Sequence, residues 1–247
     1  PWAKAGYSMA DAQFAIGAQP APLKAITADM TAAMKPMKAH TEKPALLIFR
    51  NSDIEVTFNT LTGTLTGLEA GTRQIFHGNQ GLTFNYYSSI SNRTRPYQPA
   101  ELKLTSIDWN IADDGLTGNV ATTFTATVGK QKVDYSVSYT IYADGTVDVD
   151  ASFNTPKDFN LPRLGLTAAI NPQFDELKWY GRGPIENYVD RKDAAYVGCY
   201  SANVDDMAEH YVRAQSMGER CDTRWLTLTD KNGAGVEFKA DGTFDFS

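Results

Sequence analysis

The chain has 247 residues, 42% of them hydrophobic, and carries a formal net charge of −6 with a pI near 5.1. Its size and apolar share suffice for one large core, and all-β chains of roughly 200–250 residues often fold as a single domain. The acidic balance offers no basic footprint for nucleic acid or anionic lipid. No stretch approaches the roughly 18 apolar residues that span a membrane.

The chain opens on Pro1-Trp2-Ala3-Lys4 without an initiating Met and closes on Asp245-Phe246-Ser247 inside a strand-like alternation. Both ends read as cut, so the compartment, cytoplasmic or periplasmic, stays open. Residues 1–45 are rich in Ala, hold four of the six Met, and carry Pro20, Pro22, Pro36 and Pro44. This texture predicts a tail and linker, with a short helix over Ala28 to Lys38 that Pro36 keeps from extending. The main domain is expected over residues 46–247.

From Leu46 onward the hydrophobic period becomes two. Ile54, Val56 and Phe58 alternate with polar neighbours, as do Val120 to Val128, Val133 to Ile141, and Val147 to Phe153. Such alternation predicts antiparallel strands with one buried face. Thr62-Gly63, Asp114-Gly115, Gly129-Lys130, Asp144-Gly145, Asn232-Gly233 and Asp241-Gly242 supply the turn residues for the reversals. The predicted fold class is all-β, a large antiparallel β-sandwich.

Two segments depart from the strand pattern. Trp179-Tyr180-Gly181-Arg182-Gly183-Pro184-Ile185-Glu186-Asn187-Tyr188-Val189-Asp190-Arg191 combines glycines, a proline, carboxylates, arginines, an amide and aromatics. That mixture suits a sugar-facing loop, and equally a rigid corner between strands. The second segment, Tyr211 to Trp225, carries Arg213, Gln215, Gly218, Arg220 and Arg224, whose guanidinium forks suit either sugar hydroxyls or the bracing of loops.

Complete catalytic machinery is not readable in the chain. A retaining glycosidase needs two carboxyl groups about 5–5.5 Å apart, and Glu186 and Asp190 are the nearest pair. The three histidines, His40, His77 and His210, are scattered, which disfavours an independent epimerase. Neither a metal cluster, a phosphate loop nor a nucleophile elbow is present. Cys199 and Cys221 are too few for a disulfide framework and read as buried free thiols. No cofactor or metal is expected.

Taken together, the two segments resemble the last domain of family 2 glycoside hydrolases of the β-galactosidase type. Trp179, Gly181, Gly183, Pro184, Glu186, Asn187, Tyr188, Asp190 and Arg191 match that family's first motif. Tyr211, Arg213, Gln215, Gly218, Arg220, Asp222, Arg224 and Trp225 match its second, in which Ala214, Ser216 and Met217 replace Pro, Glu and Asn. Residues Trp2 to Tyr7 and Ala12 to Phe14 are similar to the closing strand of the immunoglobulin-like domain that precedes it. The segment Phe84 to Asn92 lacks an acidic stretch that the family often carries.

The resemblance implies a galactose mutarotase-like supersandwich over residues 46–247 and the end of an immunoglobulin-like domain plus linker over residues 1–45. It implies a non-catalytic role in a retaining enzyme that hydrolyses terminal β-galactosides, with both catalytic glutamates on an upstream (β/α)₈ barrel. Glu186, Asn187, Asp190, Arg191, Arg213 and Gln215 are the expected substrate-facing set. The expected partners are a β-galactoside, the barrel of the same parent chain and, at most, further copies in a homo-oligomer. The alternative reading is a stand-alone carbohydrate-binding module centred on Trp179.

Overall fold

A computed structural model describes residues 4, 6–8, 11–17, 33–42, 44–87, 100–156, 163–213 and 215–247. The chain divides into two compact units, one formed by Ile26–Phe174 with Tyr211–Ser216, the other by Pro1–Ala25, Asp175–His210 and Met217–Ser247.

In the larger unit, β1 (Lys38–Glu42), β2 (Leu46–Arg50), β3 (Ile54–Asn59), β4 (Thr64–Ala70) and β5 (Arg73–Gln74) make one antiparallel sheet in that order. The strands β6 (Thr83–Asn85), β7 (Glu101–Ile111), β8 (Thr117–Val128), β9 (Gln131–Tyr142), β10 (Val147–Asn154) and β11 (Gly165–Thr167) follow. They give a four-stranded sheet ordered β10-β9-β8-β7 and a two-stranded pair of β11 with β6. The inward rows of the two large sheets meet face to face. Phe58 on β3 packs edge-on against Tyr139 on β9, with ring centroids 5.0 Å apart, and Phe49 on β2 meets Trp109 on β7 at 6.2 Å.

This is the sandwich that the alternation predicts. Val56, Phe58, Val120, Phe124, Val133, Tyr135, Val137, Tyr139 and Ile141 are all buried, and each large apolar side chain so placed contributes about 1.5–3 kcal/mol. The run Val147 to Phe153 is less covered, with Val149 39% exposed, because β10 lies at a sheet edge. Burial also pushes the Tyr135 and Tyr139 hydroxyls well above the usual phenol range.

The smaller unit contributes β12 (Glu176–Gly183), β13 (Tyr196–Asn203), β14 (Arg220–Thr229) and β15 (Gly235–Phe246), ordered β13-β12-β14-β15. One face buries Leu177, Trp179 and Leu226, with Tyr200, Met207, Phe238, Phe244 and Phe246 packed around them. A 3₁₀ turn, Val204–Met207, follows β13, and its N-cap Asn203 accepts the Asp205 N–H at 3.1 Å. Gln13 extends the edge at β13: its amide donates to the Val197 carbonyl at 2.8 Å and accepts the Val197 N–H at 2.6 Å.

Several expectations need adjustment. Lys38–Glu42, assigned by composition to the linker, is paired with β2 over its whole length, so the expected boundary at residues 45/46 falls inside a hairpin. Of the short helix expected over Ala28 to Lys38, residues 28–32 lie outside the described residues, residues 33–37 are not helical, and Lys38 opens β1. Five of the six turn pairs reverse the chain as predicted. The sixth, Asp241-Gly242, sits inside β15, where residues 240–243 bulge out between the pairings Thr223↔Phe244 and Trp225↔Lys239. Trp2, Ala3 and Ala5, and residues 88–92 of the departing segment, lie outside the described residues. Among the described residues there is no α-helix, and none of the helices is long and apolar enough to cross a membrane.

Candidate functional site

In the smaller unit, the end of β12, the loop of residues 184–195 and the start of β14 come together. The loop leaves β12 through a cis Gly183-Pro184 bond. Gly181 and Gly183 are dictated by packing. A Cβ on Gly183 would lie 2.8 Å from the Tyr200 ring and 2.9 Å from the Trp179 indole, and one on Gly181 would lie 2.8 Å from the Thr223 Cα.

Trp179 is 1% exposed and donates its indole N–H to the Arg182 carbonyl at 3.0 Å. It is the centre of the core face, so the sequence-based picture of Trp179 stacking on sugar is corrected: a ring closed off by the sheet has no free face to offer. Arg220, 4% exposed, lies over the same indole at 5.7 Å and donates to the carbonyls of Pro184 (3.1 Å), Gly218 (3.1 Å) and Glu219 (3.2 Å). Burial lowers the Arg220 guanidinium from its ordinary value, and the charge of Glu186 opposes that shift.

Glu186 and Asn187 are both buried, at 7% and 0% exposure. One Glu186 carboxylate oxygen accepts the Gly218 N–H at 2.6 Å, and the other pairs with the Arg191 guanidinium, which also lies 4.8 Å over the Tyr188 ring. The Asn187 side chain accepts the Cys221 N–H at 2.9 Å and donates to the Ile185 carbonyl at 3.0 Å; its backbone N–H donates to Glu219 at 2.9 Å. These contacts tie the first motif to the second across more than thirty residues of sequence.

A second ionic group lies beside it. Asp222, in the left-handed region at φ 53°, accepts hydrogen bonds from Arg182 and from Lys192 at 3.0 Å, and its N–H donates to Asp245 at 3.0 Å. Arg182 also donates to the carbonyls of Lys192 (3.1 Å) and Ala195 (2.8 Å), closing the loop on itself. Burial works to raise the Asp222 carboxyl, and the hydrogen bonds from Arg182 and Lys192 outweigh it and hold the group below its ordinary value.

The sequence-predicted set is therefore divided. Glu186, Asn187 and Arg191 are brought together, while Asp190 stands exposed on the turn closed by Arg191 N–H to Tyr188 O at 2.9 Å. Arg213, exposed, and Gln215, half-buried, belong to the larger unit. Arg182, Lys192, Arg220 and Asp222 carry much of the bonding. Arg220 and Asp222 were visible in the second motif and Arg182 in the first, but Lys192 gave no signal because it is an ordinary loop lysine.

Cys221 is buried and Cys199 exposed, both as free thiols, so the expectation of two buried cysteines holds for one of them. Glu219, Cys221 and Asp245 place three donor atoms within 4.8 Å of one another. Burial, with Asp245 and Glu219 nearby, pushes the Cys221 thiol up to about 12, so without an ion it keeps its proton at neutral pH.

Comparison with known proteins fits this geometry. The family described as beta galactosidase small chain matches residues 50–247. A β-galactosidase of Priestia megaterium is 36% identical over 112 residues, which is 45% of this chain and 11% of that protein. One of Vibrio cholerae is 40% identical over 110 residues, 44% of this chain and 10% of its own length. One of Lactobacillus delbrueckii subsp. bulgaricus is 34% identical over 141 residues, covering 57% and 14% respectively. The matched stretches thus span about a tenth to a seventh of the relatives. An all-β sandwich fold, two interlocked motif segments and a family match over most of its length together mean that the chain belongs to the β-galactosidase small chain family.

Proposed function

We propose that this chain is a non-catalytic part of a larger β-galactosidase that hydrolyses terminal β-galactosides, and that it helps shape the carbohydrate cleft. The observation that carries the proposal is the occupation of Glu186. One oxygen of this buried carboxylate is held by a backbone N–H and the other by Arg191. A glycosidase nucleophile or acid must reach the scissile bond, and this carboxylate is committed to joining two segments of chain. Asp190, which would have to be its partner, is exposed to solvent.

On this reading the catalytic carboxylates belong to another domain of the parent, a barrel on the resemblance given above. Asp190 and the exposed part of Arg191 are the groups of the loop that meet sugar, with Glu186 and Asn187 setting their position. Arg213 and Gln215 are proposed as separate carbohydrate contacts on the larger unit. Incubating the chain with a chromogenic β-galactoside should give no turnover above buffer, and turnover that disappears in a Glu186→Gln variant would overturn the proposal.

A further inference from the structure

The four-stranded sheet of the smaller unit has a second face, turned away from Trp179. Its register sets Cys199, Tyr180, Trp225 and Lys239 side by side in one row across all four strands. The neighbouring row is Ser201, Lys178, Thr227 and Glu237. Tyr180 is 37% exposed, Trp225 is half-buried, and Cys199, Lys178, Lys239 and Glu237 are exposed. The Tyr180 and Trp225 rings lie 6.4 Å apart at 43°.

Arg224 joins them. Successive residues of a regular strand face opposite ways, but the ladder between β14 and β15 breaks between Thr223 and Trp225, where residues 240–243 bulge out. Such irregularities re-aim side chains. Here the Arg224 guanidinium lies 5.4 Å over the Tyr180 ring and is anchored to the Asp222 carbonyl at 2.5 Å, while the next residue, Trp225, stands beside the same ring. Two consecutive side chains thus serve one tyrosine.

Nothing in the core requires this group. The interior face is completed by Trp179, Tyr200, Leu226 and Phe238, and a neighbouring tyrosine, tryptophan and arginine at the surface are expensive in solvent-exposed apolar area. The two rings, tilted at 43° to each other, offer apolar surface to the C–H face of a pyranose, and the Arg224, Lys178 and Lys239 donors, the Thr227 and Ser201 hydroxyls and the Glu237 carboxylate surround it with partners for ring hydroxyls. Glu237 and Lys239 are already paired at 2.8 Å, so a hydroxyl can bridge them.

We propose that this face is a binding platform for the pyranose units of an oligosaccharide, separate from the loop of Glu186 to Arg191. The choice of a galactose-containing ligand rests on the function proposed above; the platform itself rests on the sheet register. An open face without walls binds weakly, with Kd on the order of 1 mM.

The test is titration of the 247-residue chain with lactose and with a galactotetraose, read by tryptophan fluorescence and by iodoacetamide labelling of Cys199. Cys199 adjoins Tyr180 in the row, and the buried Cys221 does not compete for the reagent. Saturating sugar should slow Cys199 labelling severalfold. Tyr180→Ala should weaken binding about tenfold and Arg224→Gln about threefold, while Lys130→Gln, on an exposed turn of the larger unit, leaves it unchanged. Should Tyr180→Ala fail to fold, Tyr180→Leu keeps the apolar bulk and removes the ring. Unchanged binding by a folded Tyr180 variant overturns the platform. Binding lost instead in Asp190→Asn or Arg213→Gln overturns it too and supports the loop as the sugar contact. No binding by the wild-type chain overturns the platform alone, because a cleft-shaping role needs no affinity in the separate chain.

Discussion

The two units are held together by different chemistry. In the larger one, order comes from apolar rows: β3, β8 and β9 bury valines, phenylalanines and tyrosines at every second position. In the smaller one, a comparable apolar row on β12 is joined by a polar framework of Glu186, Asn187, Arg182, Arg220 and Asp222 that fastens one loop to one strand. The difference teaches how to read a motif. Residue types that bind sugar well also satisfy buried backbone well, and only their burial separates the two uses.

The comparison can be broken most forcefully in the larger unit. Phe58→Ala removes a fully buried ring packed on both Phe49 and Tyr139, and should cost about 3–5 kcal/mol in a urea titration. The polar framework answers to Asn187→Ala. That change strands the buried Cys221 N–H and removes the donor to the Ile185 carbonyl, with an expected loss of about 2–3 kcal/mol by the same titration. If Asn187→Ala is silent, the smaller unit does not depend on its amide.

A gentler probe is pH. The Asp222 carboxyl is held below its ordinary value in the folded chain, so its stabilisation is present above the unfolded carboxyl pKa of about 4 and is lost as pH falls through the lower folded value. Thermal unfolding followed from neutral pH down to acid should therefore show a decline below about pH 4 that is shallower in Asp222→Asn. Equal slopes for the two proteins would remove Asp222 from the framework.

Strands such as β3 and β9 were legible because alternation is local: each residue's burial follows from its parity. The same holds for five reversals, where a Gly beside Asp, Asn or Thr in four and beside Lys130 in the fifth reports positive φ directly. β1 was hidden because Lys38-Ala39-His40-Thr41-Glu42 has no apolar alternation and is ordered by its neighbour β2. Asp241-Gly242 misled for the converse reason, since a bulge uses the same positive φ as a hairpin. In the candidate site, the sequence marked two segments and left open whether they face sugar or brace each other. Glu186 reaches Gly218 and Asn187 reaches Cys221, and no local pattern reports a contact across so long a separation. The alternative centred on Trp179 arose because an aromatic beside glycines looks the same whether those glycines admit a ligand or admit Tyr200.

The central claim is that the two carboxylates of the first motif do different work, one fastening the chain and the other facing solvent. Urea titrations of Glu186→Gln and Asp190→Asn against the unaltered chain test it most directly. The account predicts a loss of about 1–2 kcal/mol for Glu186→Gln, moderate because Arg191 is itself half exposed, and a change within about 0.5 kcal/mol for Asp190→Asn. Equal stability of the two variants, or a larger loss in Asp190→Asn, would contradict it.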